Sequence, residues 1–146
     1  MPDPLYIVLA EDDEDDRMFF TDALSASKIT TVVDTVNDGV ELMEHLHRRD
    51  RLPDIIFLDL NMPRKGGMEC LAEIRKSPKF NQLSIAIYST SSAEKDIDET
   101  FIRGANIYIR KPTDFSTLKK VLSDVLNINW QYRSSGLKRE NFLLVV

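Results

Sequence analysis

The sequence alternates five times between a short apolar run and a longer segment in which apolar residues recur at helical spacing. The apolar runs lie at residues 6–10, 30–36, 55–58, 84–88 and 107–109. Their apolar residues are largely consecutive, which is typical of strands in a parallel sheet that is covered on both faces. This alternation therefore predicts an α/β domain, with helices packed on both faces of one parallel sheet.

Right-handed crossovers leave few topologies for five such units. The resulting prediction is a flavodoxin-like three-layer (βα)5 sandwich with a central five-stranded parallel sheet. Open sheets of this kind bind their ligands beyond the carboxyl ends of the strands, near the point where the strand order reverses. The loops after the first, third, fourth and fifth strands are therefore expected to carry the chemistry.

Local signals place the starts of the helices. Asp38-Gly39 is a turn and helix-start signal, and Ser91 with Glu94 predicts a capping box at the start of the fourth helix. The first helix is expected to bury a stripe of apolar residues on one face, formed by Met18, Phe19, Ala23 and Leu24.

Polar and charged residues follow four of the predicted strands. Glu11 and Asp12 follow the first strand, Asp59 the third, Ser89 the fourth and Lys111 the fifth. Carboxylates gathered at one edge of a sheet repel each other unless a cation neutralises them. Oxygen ligands without clustered His or Cys select a hard ion such as Mg²⁺. A carboxylate can also accept a phosphoryl group, and a metal ion with a lysine would stabilise the charge that develops during the transfer.

The bulk composition limits the class of protein. A chain of 146 residues that is 42% hydrophobic and 29% charged fits one folded domain. No apolar run reaches the ~20 residues needed to cross a bilayer, and the first residues lack the features of a signal peptide. The single cysteine and the net charge of −5 favour a reduced, cytoplasmic protein that binds neither nucleic acid nor membrane.

Over residues 5–127 the pattern resembles the response-regulator receiver domain. The matching motifs are Glu11-Asp12, residues 58–63 (Leu-Asp-Leu-Asn-Met-Pro), Gly66-Gly67, Ser89, Gly104-Ala105 and residues 108–112 (Tyr-Ile-Arg-Lys-Pro). The resemblance implies that Asp59 is the phosphoacceptor. It also implies that Asp12 binds Mg²⁺ directly, that Glu11 acts through water, and that the backbone carbonyl of Asn61 completes the protein ligands.

The same resemblance assigns the switch residues. Lys111 would contact the phosphoryl group, and Ser89 would be the switch hydroxyl, although the adjacent Thr90 leaves open which of the two donates the hydrogen bond. The aromatic ring at Tyr108 would turn inward on phosphorylation. The family's Lys-Pro bond is cis, which predicts a cis bond before Pro112.

By resemblance, the chain is a two-component phosphorelay regulator rather than an enzyme. Its partners would be a sensor histidine kinase or a histidine phosphotransfer protein, and a downstream protein of unknown identity reached through a conformational switch. The loop at residues 64–67 is similar to that of a stand-alone subgroup that partners bacteriophytochrome-like or other sensor kinases.

Three rival functions are weighed against this interpretation. An Mg²⁺-dependent phosphatase with an aspartyl nucleophile needs a second acid two residues after it, where this chain has Asn61. A flavodoxin that binds FMN needs a Ser/Thr/Gly-rich phosphate loop, where this chain has Glu11-Asp12-Asp13. An interaction module that is never phosphorylated is disfavoured because every switch position is filled.

Other notable residues receive structural explanations. The acids at positions 14–16 are interpreted as caps and partners of the helix dipole. His45 and His47 are expected on opposite, solvated sides of the second helix, and Cys70 is expected to pack in the core.

The resemblance ends before the last segment of the chain. Residues 1–127 are predicted to form the receiver domain, and residues 128–146 a C-terminal extension. Trp130 and the five apolar residues 142–146 are expected to pack either on the domain or on a second subunit. A homodimer formed through or beside the face of the fourth helix, fifth strand and fifth helix is one prediction. A tail folded on its own subunit is the alternative.

Overall fold

The structure, a computed structural model, describes the backbone of residues 4–132 and 143–145 and the side chains of residues 4–127. Strands and helices alternate along these residues. In chain order they are β1 (Leu5–Ala10), α1 (Glu14–Ser25), β2 (Thr31–Val36), α2 (Gly39–Arg48), β3 (Ile55–Leu58), α3 (Gly67–Lys76), β4 (Ile85–Ser89), α4 (Glu94–Ile102), β5 (Ile107–Arg110), α5 (Phe115–Tyr132) and β6 (Leu143–Val145).

The strands form one parallel sheet in the order β2-β1-β3-β4-β5-β6. The first five strands confirm the predicted flavodoxin-like arrangement, with the reversal of strand order between β1 and β3. A sixth strand, β6, was not predicted and pairs with the outer edge of β5, with Tyr108 opposite Leu144. It belongs to the C-terminal extension, whereas the predictions for Trp130 and Phe142 lie outside the described side chains.

The core consists of two apolar layers, one on each face of the sheet. Alternate residues of β1 serve both layers, since Tyr6 and Val8 face the side covered by α2 and α3 while Ile7 and Leu9 face α1 and α5. All six residues of β1 are buried, but only Val36 of β2 is. This contrast is expected because β2 is an edge strand and β1 lies inside the sheet.

The predicted buried stripe of α1 is confirmed for Ala23 and Leu24 and wrong for Met18, while Phe19 is only partly buried. The buried residues of this helix are Phe20, Ala23 and Leu24, which recur at the i, i+3, i+4 spacing of one helix face. Met18 lies two residues from Phe20, nearly half a turn around the helix, and is 57% exposed.

Two predicted helix starts had different outcomes. At α2, Asp38 is the N-cap and accepts a hydrogen bond from the backbone N–H of Glu41, as predicted. At α4 the N-cap is Ala93, and no side chain caps it. The predicted capping box with Glu94 is therefore wrong, because Ser91 lies outside the helix.

None of the helices within the described residues has both the length and the apolar character needed to span a bilayer.

Candidate functional site

Backbone pairing brings the residues that follow the central strands to one edge of the sheet. The N–H of Asp59 donates to the carbonyl of Ala10 at 3.1 Å, which places the end of β3 beside the end of β1. The N–H of Lys111 donates to the carbonyl of Ser89 at 2.7 Å, which does the same for β5 and β4. The side chains predicted to carry the chemistry therefore follow adjacent strands of the same sheet.

Three carboxylates form an acidic cluster at this edge. Glu11, Asp12 and Asp59 each offer an oxygen atom, and these atoms lie within 4.8 Å of one another. Glu11 and Asp59 are buried, whereas Asp12 is exposed. Oxygen donors this close together fit a hard divalent cation, because an ion between them offsets their mutual repulsion.

Lys111 supplies the positive charge in this site. Its ammonium nitrogen Nζ lies 2.5 Å from Glu11 Oε1, 2.9 Å from Asp16 Oδ2 and 3.4 Å from Asp59 Oδ2. The Lys111 side chain is only 9% exposed. One largely buried ammonium group is thus shared among three carboxylates, two of which belong to the acidic cluster.

Burial and charge shift the pKa values of two of these groups. Burial raises the pKa of Glu11 to about 8, with a further rise from the neighbouring Asp59 that outweighs the lowering by Lys111. Burial alone would lower the pKa of Lys111, but its hydrogen bonds to Glu11 and Asp16 and the charge of Asp59 raise it above its usual value. Lys111 therefore stays protonated at neutral pH.

The loop after β3 is packed closely around Asp59. Its Oδ1 accepts a hydrogen bond from the backbone N–H of Asn61 at 3.2 Å. A Cβ at Gly67 would lie 2.2 Å from the carbonyl oxygen of Asp59, so only glycine lets α3 begin this close to the strand end. The second glycine of the Gly66-Gly67 motif is explained by this close approach.

The two candidate hydroxyls after β4 lie in different environments. Ser89 is fully buried, and its Oγ accepts a hydrogen bond from the N–H of Ser91 at 3.1 Å. Thr90 is exposed and lines a cavity of about 370 Å³ beside Lys111 and Asp16. Ser89 is therefore the buried hydroxyl of the two, and Thr90 is the one that lines the cavity beside Lys111.

Tyr108 already points inward. Its side chain is fully buried, and its hydroxyl donates to the backbone carbonyl of Ser91 at 2.8 Å. The Ser91 Oγ donates to Asp96 at 2.6 Å and accepts from the N–H of Ala93 at 3.1 Å. Ser91 therefore connects Tyr108 to the first turn of α4, a role that sequence reasoning missed.

Sequence reasoning missed two further residues, Asp16 in the site and Arg64 in the loop after β3. Asp16 was interpreted as a cap or dipole partner, but its Oδ2 lies 2.9 Å from Lys111 Nζ. No local signal indicates this contact, because the two residues are 95 positions apart in the chain. Arg64 was assigned no role, yet it forms a bidentate ion pair with Asp38 at 2.9 and 3.2 Å. Its φ of 63° lies in the left-handed region that disfavours residues other than glycine.

The predicted cis bond before Pro112 is wrong for this structure, since no peptide bond among the described residues is cis. The trans isomer is favoured by about 0.5–1 kcal/mol at X–Pro bonds. Lys111 reaches its three carboxylates from the trans bond.

One of the two histidines differs from its predicted solvated state. The His45 side chain is only 20% exposed, and its Nε2 lies 2.7 Å from the Tyr6 hydroxyl and 3.5 Å from Asp34. Burial lowers the pKa of His45, although Asp34 opposes this shift. His47 is exposed, as predicted.

Cys70 packs in the core as predicted. It is fully buried, and burial raises the pKa of its thiol to about 11.

Comparisons with known proteins agree on the family. The family model described as "Response regulator receiver domain" matches residues 7–123, more than half of the chain. Response regulator Rcp1 of Synechocystis is 29% identical over 127 residues, which cover 84% of this chain and 86% of Rcp1.

Two solved structures are also similar. The phosphorylated cyanobacterial phytochrome response regulator RcpA has a TM-score of 0.80 and 33% identity, over 88% of this chain and 95% of RcpA. The Mn²⁺-bound form of Rcp1 has a TM-score of 0.76 and 27% identity, over 92% of this chain and 99% of that one.

Proposed function

The chain belongs to the response-regulator receiver domain family of two-component systems, and from this premise we propose that it accepts a phosphoryl group on Asp59 in an Mg²⁺-dependent reaction. The observation that carries the proposal is the placement of Lys111 Nζ 3.4 Å from Asp59 Oδ2, beside the acidic cluster. A carboxylate acceptor, a cation-binding set of oxygens and a fixed ammonium are the three components that this transfer needs.

In the transfer, an oxygen of Asp59 attacks the phosphorus of a phosphohistidine. The O–P bond forms as the P–N bond breaks, and the electron pair leaves with the imidazole nitrogen. Negative charge is spread over three phosphoryl oxygens in the transition state, and the protonated Lys111 stabilises part of it. The Asn61 N–H that donates to Asp59 Oδ1 orients the acceptor carboxylate.

The donor set fits Mg²⁺, since it consists of carboxylate oxygens that lie close together. Asp12 and Asp59 would hold the ion directly, Glu11 through water, and the backbone carbonyl of Asn61 would complete the protein ligands. When bound, the ion neutralises the acidic cluster and the charge on the transferred group.

The phosphorylated state would be reported through Ser89, Tyr108 and the β4–α4 loop. We assign the switch hydroxyl to Ser89, with Thr90 at its side. A phosphoryl oxygen on Asp59 would accept a hydrogen bond from the Ser89 hydroxyl and draw Ser89 toward it, away from the Ser91 N–H that now donates to its Oγ. Because the Ser91 carbonyl also accepts from Tyr108, a shift at Ser89 changes the position of the aromatic residue and of α4.

A receiver domain implies a histidine kinase or a phosphotransfer protein as its partner. The similarity to a cyanobacterial phytochrome response regulator supports a sensor kinase of the phytochrome type as the donor. We place the protein in the cytoplasm, and its output in contacts with a downstream protein. A homodimer that uses the C-terminal extension, residues 128–146, is a further part of the proposal.

Intact-mass measurement after incubation with acetyl phosphate and Mg²⁺ tests the phosphoacceptor. The wild-type protein should gain the mass of one phosphoryl group, and Asp59→Asn should gain none. Asp22→Asn is the matched control, because Asp22 is an exposed acid of α1 away from the site. Uptake by the Asp59→Asn protein at another residue would overturn the assignment, and far-ultraviolet circular dichroism would show that the variant is folded.

A further inference from the structure

The ammonium group of Lys111 has three N–H donors and contacts three carboxylates. Two of these carboxylates, Glu11 and Asp59, belong to the acidic cluster. The third, Asp16, lies outside that cluster and is not one of the motif residues quoted above. Lys111 therefore has one carboxylate contact, at 2.9 Å, with a residue that is neither the proposed phosphoacceptor nor part of the acidic cluster.

Asp16 is held in place by its own helix. It lies in the first turn of α1, where its backbone N–H donates to Asp13 Oδ1 at 2.9 Å. Its side chain is 41% exposed, so it reaches Lys111 from the solvent side, whereas Glu11 reaches it from the interior at 1% exposure. The ammonium is thus held between a fixed surface carboxylate and two buried ones.

We propose that Asp16 is a positioning residue that keeps the Lys111 ammonium directed at the phosphoryl site while Glu11 and Asp59 are engaged by the cation and the transferred group. This inference rests on the proposed function. A lysine side chain is a flexible four-carbon stem that loses rotational freedom when it is fixed. Without Asp16, Lys111 would contact only Glu11 and Asp59, which the cation and the transferred group engage. The Lys111 side chain would then have to become ordered again in each transfer.

The rate of phosphorylation by acetyl phosphate measures this effect. Asp16→Ala should lower the rate constant about tenfold, since a small misplacement of a catalytic group is costly. Asp16→Asn keeps a hydrogen-bond acceptor but not the charge, so its rate constant should lie between those of Asp16→Ala and the wild type. Asp16→Glu should retain part of the wild-type rate. Asp15→Ala removes an exposed acid from the same turn and should change the rate by less than about twofold.

A double-mutant cycle with Lys111→Ala separates positioning from a general charge effect. If Asp16 acts through Lys111, then Asp16→Ala causes no further loss of rate in the Lys111→Ala protein. Full additivity of the two substitutions would overturn the proposal, as would an unchanged rate in Asp16→Ala. Thermal unfolding of each variant shows whether a loss of rate reflects a loss of fold.

Side-chain NMR of the unphosphorylated protein in saturating Mg²⁺, where the cation engages Glu11 and Asp59, gives a readout that does not depend on phosphoryl transfer. The ¹⁵Nζ signal of Lys111, assigned by its absence in Lys111→Arg, should show faster motion in Asp16→Ala and remain unchanged in Asp15→Ala. Equal mobility of Lys111 in wild type and Asp16→Ala would overturn the proposal. If the wild-type protein takes up no phosphoryl group, the proposed function fails, while this measurement still decides whether Asp16 fixes Lys111.

Discussion

The three acids of the cluster differ in how far they are buried. Glu11 and Asp59 are almost fully buried, and burying a carboxylate is costly unless a cation or a hydrogen bond compensates it. Lys111 provides that compensation when no metal is bound. Asp12 is exposed and lies beside them. Asp12 is thus the carboxylate of the cluster that solvent reaches directly.

Substitution of Asp12 should therefore weaken cation binding selectively. Asp12→Ala removes one of the three clustered carboxylates proposed to bind the ion, so the Kd for Mg²⁺ measured by calorimetry should rise about tenfold or more. Asp15→Ala removes the same charge from an exposed position outside the cluster, and its Kd should change by less than about twofold. Equal losses of Mg²⁺ affinity in the two variants would mean that the acidic residues after β1 attract cations only through their combined charge, without a specific binding site.

At the scale of elements, Arg75 joins three segments at the end of the sheet opposite the site. Its guanidinium donates to the carbonyl oxygens of Leu83 at 2.6 Å and Gly104 at 2.9 Å, and to the Asn106 side chain at 2.8 Å. Gly104 has a φ of 104°, and a Cβ there would lie 3.0 Å from the Arg75 side chain. α3 is thereby fastened to the start of β4 and to the turn between α4 and β5.

Arg75→Met should lower the free energy of unfolding by about 2–3 kcal/mol, because it leaves half-buried carbonyl groups without their donor. Arg103→Met is the control, since Arg103 is an exposed residue near the same turn whose partner is Glu99, one helical turn away. Urea unfolding of both variants measures the difference. Similar, small losses of unfolding free energy in the two variants would show that the hydrogen bonds of Arg75 contribute little to stability.

At the scale of the whole molecule, β6 changes the edge of the sheet. It pairs in parallel with β5 and covers an edge that would otherwise expose unpaired backbone groups. The segment that supplies β6 follows α5, which continues through Tyr132 and so crosses the predicted domain boundary at residue 127. The extension thus takes part in the fold next to the element that contains Tyr108.

Truncation after Tyr132 tests the role of the extension, because it spares α5 and removes β6. If the extension forms a homodimer, light scattering should show a dimer for the full-length protein and a monomer for the truncated one. Comparing both with and without phosphorylation shows whether the switch acts on the association. A full-length protein that stays monomeric at high micromolar concentration in both states would contradict the dimer.

Much of the fold and of the site followed from local patterns. β1 to β5 and the five helices were predictable, because burial on both faces makes the strands of a parallel sheet apolar and so separates them from the helical segments. The meeting of Glu11, Asp59 and Lys111 was predictable because parallel strands end at one edge of the sheet, whichever side chains they carry. The resemblance to receiver domains added roles for these residues that spacing alone does not specify.

Other features depended on contacts between residues distant in the chain. The Asp16–Lys111 contact joins residues 95 positions apart, and the Arg64–Asp38 pair joins residues 26 apart. The sequence alone determined which strand ends carry reactive groups, since alternation and apolar runs are local properties. The tertiary structure alone decided that Asp16 contacts Lys111 and that β6 pairs with β5. The contacts of a side chain, and the strand that pairs with a sheet edge, depend on how helices and strands pack together. That packing involves many residues that are distant in the sequence, so no local pattern predicts it.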